Sequence, residues 1–289
     1  MGRVAGAARP QADRGWFVVH IHCAYPDAVG GALAAWSLGL PWVVTAHGSD
    51  INIVARKLAL RAQIRWGAAR RAARHCGEPR STRRFSRWAA CNPSRSRASP
   101  CSGYDPDVFK PRSRATLRIG IGLATHARMA WARRNARCSS ATRCDQDRLV
   151  LIGNGAERTR LEQMATSLGI GSAVVFIGAV TQEVVSDWIG AADLLCLPSH
   201  SEGSPNVVGE SVASGVPVVA SRVGGVPELV THGVNGYLVP PGEPIALAQA
   251  VDAAFETTWN QDAISASASH LDWRRLAQRN IELLATIRA

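Results

Sequence analysis
The sequence predicts an α/β protein built on parallel sheets in two domains, and three observations carry that expectation. Short apolar strands alternate with helical segments, as in Trp16 to Ile21, Asp27 to Leu38 and Trp42 to Ala46. Glycine- and proline-rich turns follow the strands, most densely between Ser199 and Glu228. A length of 289 residues suits two domains that each bury a core.

Taken in chain order, WFVVHI reads as a buried strand and is followed by a small-residue helix from Asp27. Pro41 precedes a second strand, Trp42 to Ala46, which ends at His47-Gly48-Ser49-Asp50. A helix is expected from about Asp50 to Trp66. From Arg148 onward the alternation resumes through LVLIGNG, VVFIGAV, LLCLPS, GVPVVAS and NGYLVPP. The segment SHSEGSPNVVGESVASGVPVVASRVGGVPE is a strand–loop–helix–strand–loop unit. It sets Glu202 and Glu210 eight positions apart around a turn that opens a helix. Such a loop offers backbone N–H groups and a helix N-terminus, which suit a diphosphate. Carboxylates do not bind phosphate; they accept hydrogen bonds from hydroxyl groups such as those of a ribose or a hexose. The ligand these features imply together is a nucleotide sugar.

The same segment resembles the donor-binding signature of the large GT-B glycosyltransferase family that includes retaining hexosyltransferases. That signature is Glu, seven residues, Glu, a small-residue–Gly–x–Pro-Val-Val strand and a Gly-Gly-x-Pro-Glu turn. The resemblance extends from about Arg148 to the C-terminus, and HIHCAYPDAV through TAHGSDIN is similar to the acceptor-side domain. Within the family that second stretch resembles members that build bacterial cell-surface polysaccharides, such as the teichuronic-acid type. The resemblance implies two Rossmann-like domains facing a cleft, here 1–118 and 119–289. It implies retaining transfer of a hexosyl group from a nucleoside diphosphate sugar to a hydroxyl acceptor. Glu210 would bind the ribose and Glu202 would lie by the transferred sugar. Gly203, Ser204, Pro205, Asn206 and Val207 would carry the turn facing the diphosphate, and Gly178 with Ala179 and Val180 would pass beside the nucleobase. His47 would face the sugar from the acceptor side. For the loop and for Gly178–Val180 an ordinary strand-to-helix connection is the competing reading, and Glu228 is better suited to stabilising its turn. An H-x-H at His20 and His22 beside Cys23 has no further ligand cluster in sequence. No Asp-x-Asp lies within the donor-binding segment Ser199 to Glu228, and the expectation is a metal-independent enzyme without a cofactor.

The first domain is expected to be incomplete, because the βα units that usually precede the HIHCAYPD element are missing. Two stretches, 68–102 and 119–146, lack any period of 2 or 3.6 and are expected to be disordered or scrambled. The family's Gly-x-x-x-x-x-Lys-Gly loop, which holds charge on the leaving diphosphate, is absent from the second, although Arg128, Arg133, Arg134 and Arg137 lie there. Its loss leaves a second reading open, an inactive remnant that only binds nucleotide sugar.

The net charge of +11 is concentrated. Residues 56 to 148 hold 23 of the 33 Lys and Arg but only 5 of the 22 Asp and Glu. Scattered arginines without interleaved aromatic residues argue against specific nucleic-acid binding. A basic patch could meet an anionic membrane, as a lipid-linked acceptor would require. The longest apolar run, Ala32 to Ala46, is broken by Ser37, Gly39 and Pro41 and is too short to span a bilayer. Seven cysteines without paired spacing suggest free thiols and a cytoplasmic setting, at most peripheral to the inner face of a membrane. Islands of family-like sequence separated by Arg-, Cys- and Ser-rich text are what a shifted reading frame gives. Resequencing the gene and translating all three frames should restore the lysine loop in an alternative frame. A stable sequence with no such frame would remove the frameshift explanation.

Overall fold
In a computed structural model the described residues are 18–23, 25–46, 57–69, 73–76, 96–98, 103–121, 129–133 and 147–288. They form two compact units. Those up to 98 and from Leu276 onward belong to one unit, and those from 103 to 275 to the other.

The first unit is a four-stranded parallel sheet in the order β1 (Val19–His22), β2 (Trp42–Ala46), β3 (Ala73–Cys76), β4 (Ser96–Ala98). Helix α1 (Asp27–Ser37) joins β1 to β2 and buries Ala28, Ala32 and Ala35, an i, i+4, i+7 stripe. α2 (Leu58–Ala69) packs beside it. β2 occupies the span expected from sequence, and Trp42, Val43 and Val44 are all buried. The expected helix from Asp50 is described only from Leu58.

The second unit is a six-stranded, all-parallel sheet. Its strands are β5 (Met129–Arg133), β6 (Arg148–Ile152), β7 (Val174–Gly178), β8 (Leu194–Leu197), β9 (Val218–Ser221) and β10 (Gly236–Val239). Their order is β10-β9-β8-β5-β6-β7. The chain runs outward through β6 and β7, returns to pair β8 with β5, and then runs outward on the other side. β5 and β8 therefore flank a topological switch point, where the loops on either side diverge and leave a crevice at the C-terminal edge. Helices α4 (Arg158–Ser167), α5 (Gln182–Ala191), α6 (Asn206–Ala213), α7 (Val226–Leu229) and α8 (Pro244–Glu256) fall in the connections and beyond β10. Two apolar clusters lie in this unit, one including Val150, Leu195, Val208 and Val218 and one including Leu194, Val219, Leu247 and Val251. Leu194 and Leu195, neighbours in sequence, fall into different clusters, as the alternation of side chains along a strand requires. α9 (Gln261–Ser267) closes the first cluster with Ile264.

The described residues of the second unit begin at 103, ahead of the boundary expected at 118/119. α3 (Arg114–Gly120) belongs with the second unit because its arginines are anchored there. Arg118, only 4% exposed, donates to the Ala191 carbonyl at 2.9 Å and to Asp193 at 2.6 Å. Arg114 reaches the same carboxylate at 2.8 Å, and Arg112 bonds Asp187 and Ser186. Among the described residues, 68–102 and 119–146 contribute β3, β4 and β5. β5 pairs with both β6 and β8. Parallel pairing is made by backbone groups, so a strand flanked by two regular neighbours can take its register from them despite a weak pattern of its own.

The second unit begins and ends at one place. The Tyr104 amide donates to the Leu271 carbonyl at 3.1 Å, and the Trp273 amide donates to the Tyr104 carbonyl at 3.2 Å. Burial and the neighbouring Asp272 carboxylate both push the Tyr104 phenol above its usual pKa. A side chain on Gly103 would strike the indole of Trp273, the first residue of α10 (Trp273–Arg288).

Because Arg118 is buried against a shared carboxylate, Arg118→Ala should leave Asp193 short of a partner and cost about 3 kcal/mol. Chemical denaturation of the variant against the parent measures it.

Candidate functional site
The residues expected to bind a donor lie at the C-terminal edge of the six-stranded sheet, on the loop that follows β8. This strand is fully buried along LLCL, so its end is fixed, and the chain leaves it at Pro198 into a loop running to Pro205. Pro205, with φ −73°, precedes the first residue of α6 and restricts the backbone where the helix begins. Glu202 and Glu210 are both half-buried, one on the loop and one in the second turn of α6. The sequence spacing thus becomes a geometry: the two carboxylates flank the N-terminal turn of α6 beside the switch point.

Two contacts hold this loop. The Ser199 hydroxyl donates to Glu202 Oε1 at 2.7 Å. The Gly225 amide donates to the Gly203 carbonyl at 2.7 Å, tying the turn after β9 to the loop after β8. Gly224 has φ +51°, and a Cβ there would collide with the carbonyl of Glu202. Gly224 is therefore needed for close backbone approach rather than for chain flexibility. Glu228 sits in the first turn of α7, where a carboxylate suits the helix dipole.

Gly178 ends β7 with φ +86°. Its carbonyl accepts from the Gly153 amide at 2.7 Å, joining the ends of β6 and β7. A Cβ at Gly178 would approach Asn154 Oδ1 at 3.4 Å and Arg158 Nη1 at 3.7 Å, so the glycine opens a shallow notch lined by these two polar groups. Arg158 is held by Glu162 at 2.8 Å and lies over the Phe176 ring. Nearby, a hydrogen bond from the Thr181 side chain holds the Glu183 carboxyl below its usual pKa.

The sequence reading missed Ser199, Asn154 and Arg158. Ser199 had a signal, since a serine three residues before a glutamate is the spacing that lets the two side chains meet. Asn154 and Arg158 had none, because they reach Gly178 only through the pairing of β6 with β7. His47, together with Gly48, Ser49 and Asp50, lies outside the described residues, as does most of 119–146. His20 and His22 stack at 4.3 Å between ring centres, and His20 bonds the Thr45 hydroxyl at 2.8 Å. Among the described residues no three His, Cys, Asp or Glu side chains converge on one point, and no helix is long and apolar enough to cross a membrane.

Residues 126–257 match the family model described as glycosyl transferases group 1. They cover β5 through α8, including both glutamates, the Gly-Gly turn and the switch point. This region of the chain belongs to that glycosyltransferase family. Among its relatives is N-acetyl-alpha-D-glucosaminyl L-malate synthase of Bacillus anthracis, 27% identical over 80% of this chain and 63% of the relative. Another is the putative teichuronic acid biosynthesis glycosyltransferase TuaC of Bacillus subtilis, 29% identical over 81% of this chain and 60% of the relative. The chain thus spans less than two thirds of the length of these relatives. Among solved structures, HepE of Anabaena in complex with UDP is similar with a TM-score of 0.78 and 23% identity, over 94% of this chain and 79% of that one. Sucrose-phosphate synthase from Thermosynechococcus elongatus gives a TM-score of 0.76 at 20% identity, over 95% and 74%. These likenesses show the GT-B fold.

Gly224→Ala should push the Glu202–Gly203 backbone away and destabilise the protein by about 2 kcal/mol, since both the left-handed φ and the collision oppose it. Thermal melting of the variant against the parent reads this directly.

Proposed function
We propose that the protein transfers a hexosyl group from a nucleoside diphosphate sugar to a hydroxyl acceptor, with retention and without a metal, in polysaccharide or glycolipid synthesis. The observation that carries this is the braced loop–helix unit bearing Glu202 and Glu210 at the switch point of the sheet. Its place agrees with the general site of ligands in open parallel sheets. HepE, whose fold this chain shares, was solved with UDP and with UDP-glucose.

In this reading Glu210 accepts hydrogen bonds from the ribose hydroxyls, and the diphosphate faces the amides that open α6. Glu202 keeps Oε1 engaged with Ser199 and offers Oε2 to a hexose hydroxyl. A carboxylate held this way fixes orientation without moving a proton. The notch beside Gly178 receives the base. The bond from the anomeric carbon to the diphosphate breaks as the acceptor oxygen bonds the same face. The acceptor's proton passes to the departing diphosphate oxygen. His47 would face the sugar from the acceptor side. Exposed Leu33, Trp36, Leu58 and Trp66 on α1 and α2 support a peripheral membrane contact that would bring a lipid-linked acceptor within reach.

One observation favours the second reading, binding without turnover. The sequence between 119 and 146 lacks the lysine loop that would offset charge on the leaving group, and losing such a donor costs about 3 kcal/mol of barrier. Calorimetry with UDP, paired with a turnover assay on UDP-glucose, separates the readings. UDP should bind, and Glu210→Gln should weaken it about tenfold, the worth of a charge-assisted hydrogen bond. Binding without transfer would favour the remnant. No UDP binding would overturn the donor reading.

A further inference from the structure
Away from the two glutamates, Gly178 marks another place at the C-terminal edge of the six-stranded sheet where polar side chains meet at one point. A Cβ on this glycine would lie 3.4 Å from Asn154 Oδ1, 3.7 Å from Arg158 Nη1 and 4.0 Å from Asn154 Nδ2. Both side chains therefore face the space beside Gly178, one from the loop after β6 and one from the first residue of α4. Arg158 is held there from behind. Its Nε donates to Glu162 at 2.8 Å, and its guanidinium lies 5.7 Å from the centre of the Phe176 ring.

The polarity at this point is one-sided. A guanidinium only donates, so the amide atom that meets Arg158 Nη1, at 3.5 Å, is the Asn154 oxygen. Asn154 Nδ2 is left as a donor, and neither it nor Arg158 Nη2 has a partner among the described residues. The Gly178 carbonyl already accepts from the Gly153 amide at 2.7 Å. What remains is a set of donors that calls for an acceptor. Glu162 offsets the guanidinium charge, so a neutral carbonyl suits the set better than an anion. Three strand spacings separate the end of β7 from the end of β8, roughly 14 Å at about 4.8 Å each. A ligand that engages the loop after β8 and also reaches Gly178 needs the length of a nucleoside diphosphate sugar, with its base at this end.

We propose that Asn154 and Arg158 select the donor's nucleobase, admitting a base with an exocyclic carbonyl at the edge it presents and rejecting one with an amino group there. The proposal rests on the donor reading above and names the class of base. Uracil O4 and guanine O6 are such carbonyls, whereas cytosine and adenine carry an amino group at the corresponding position and would set donor against donor. An asparagine can pair with adenine by using both of its amide atoms, but here the oxygen is engaged by Arg158. Guanine has N7 beside O6 and offers the donors two acceptors; uracil offers O4.

Calorimetry on the full chain with UDP, CDP, GDP and ADP tests this, because each keto base is compared with an amino base of the same ring size. In the ring class that binds more tightly, the keto member should bind at least tenfold better, UDP over CDP or GDP over ADP. Such a ratio lies within the roughly 5- to 150-fold worth of one good base contact. The tighter of UDP and GDP identifies the base. Asn154→Asp turns the remaining amide donor into an acceptor and should shrink the ratio at least fivefold, and Arg158→Gln should do the same. Variants that weaken all four nucleotides alike and leave the ratio unchanged would show a structural role only and overturn the proposal. Equal binding of keto and amino nucleotides, or tighter binding of CDP or ADP, overturns it while the donor reading stands. Binding of none of the four removes the donor reading and this proposal with it. Asn154 is exposed and Arg158 half-buried, so both variants should fold.

Discussion
The backbone hydrogen bond between Gly225 and Gly203 is the constraint on which the loop after β8 depends. It joins the connections after two adjacent strands, β8 and β9, at the C-terminal edge of the sheet. Gly224 must lack a side chain for the two backbones to come this close. With the loop pinned, Ser199 can hold one oxygen of Glu202, and α6 can start at Asn206 with Glu210 in its second turn. The carboxylates thus owe their relation to backbone geometry, and packing only supports it. A site organised this way tolerates changes in the core better than changes in its glycines.

This is also why the loop–helix unit was legible in sequence while parts of the fold were not. Glycine at a left-handed turn, proline ahead of a helix and a carboxylate at fixed spacing are local demands, and each leaves a residue type at a given position. β2 and α1 were legible for similar reasons, through a buried apolar run and a stripe of alanines. β5 was not, because its place comes from β6 and β8 on either side. Asn154 and Arg158 were hidden likewise, since they meet Gly178 only across two paired strands.

The position of α3 shows a further limit of reading by segment. Most of its residues fall before the boundary expected at 118/119, yet Arg114 and Arg118 converge on Asp193, some 75 positions later. A carboxylate at the start of β8 that collects two guanidinium groups is satisfied only if α3 stays with the second unit. Nothing local in ATLRIG announces that partner. Arg118 reads as one more member of a basic stretch until the fold shows where it goes.

The pairing of Tyr104 with Leu271 and Trp273 carries a different consequence. A polypeptide whose entrance and exit lie side by side can be moved as a cassette. Recombination could graft it into another chain, or excise it, without any new connection having to cross the sheet. Damage elsewhere in the gene would then be inherited separately from this module. Selection could go on acting on the cassette after the rest of the chain had drifted.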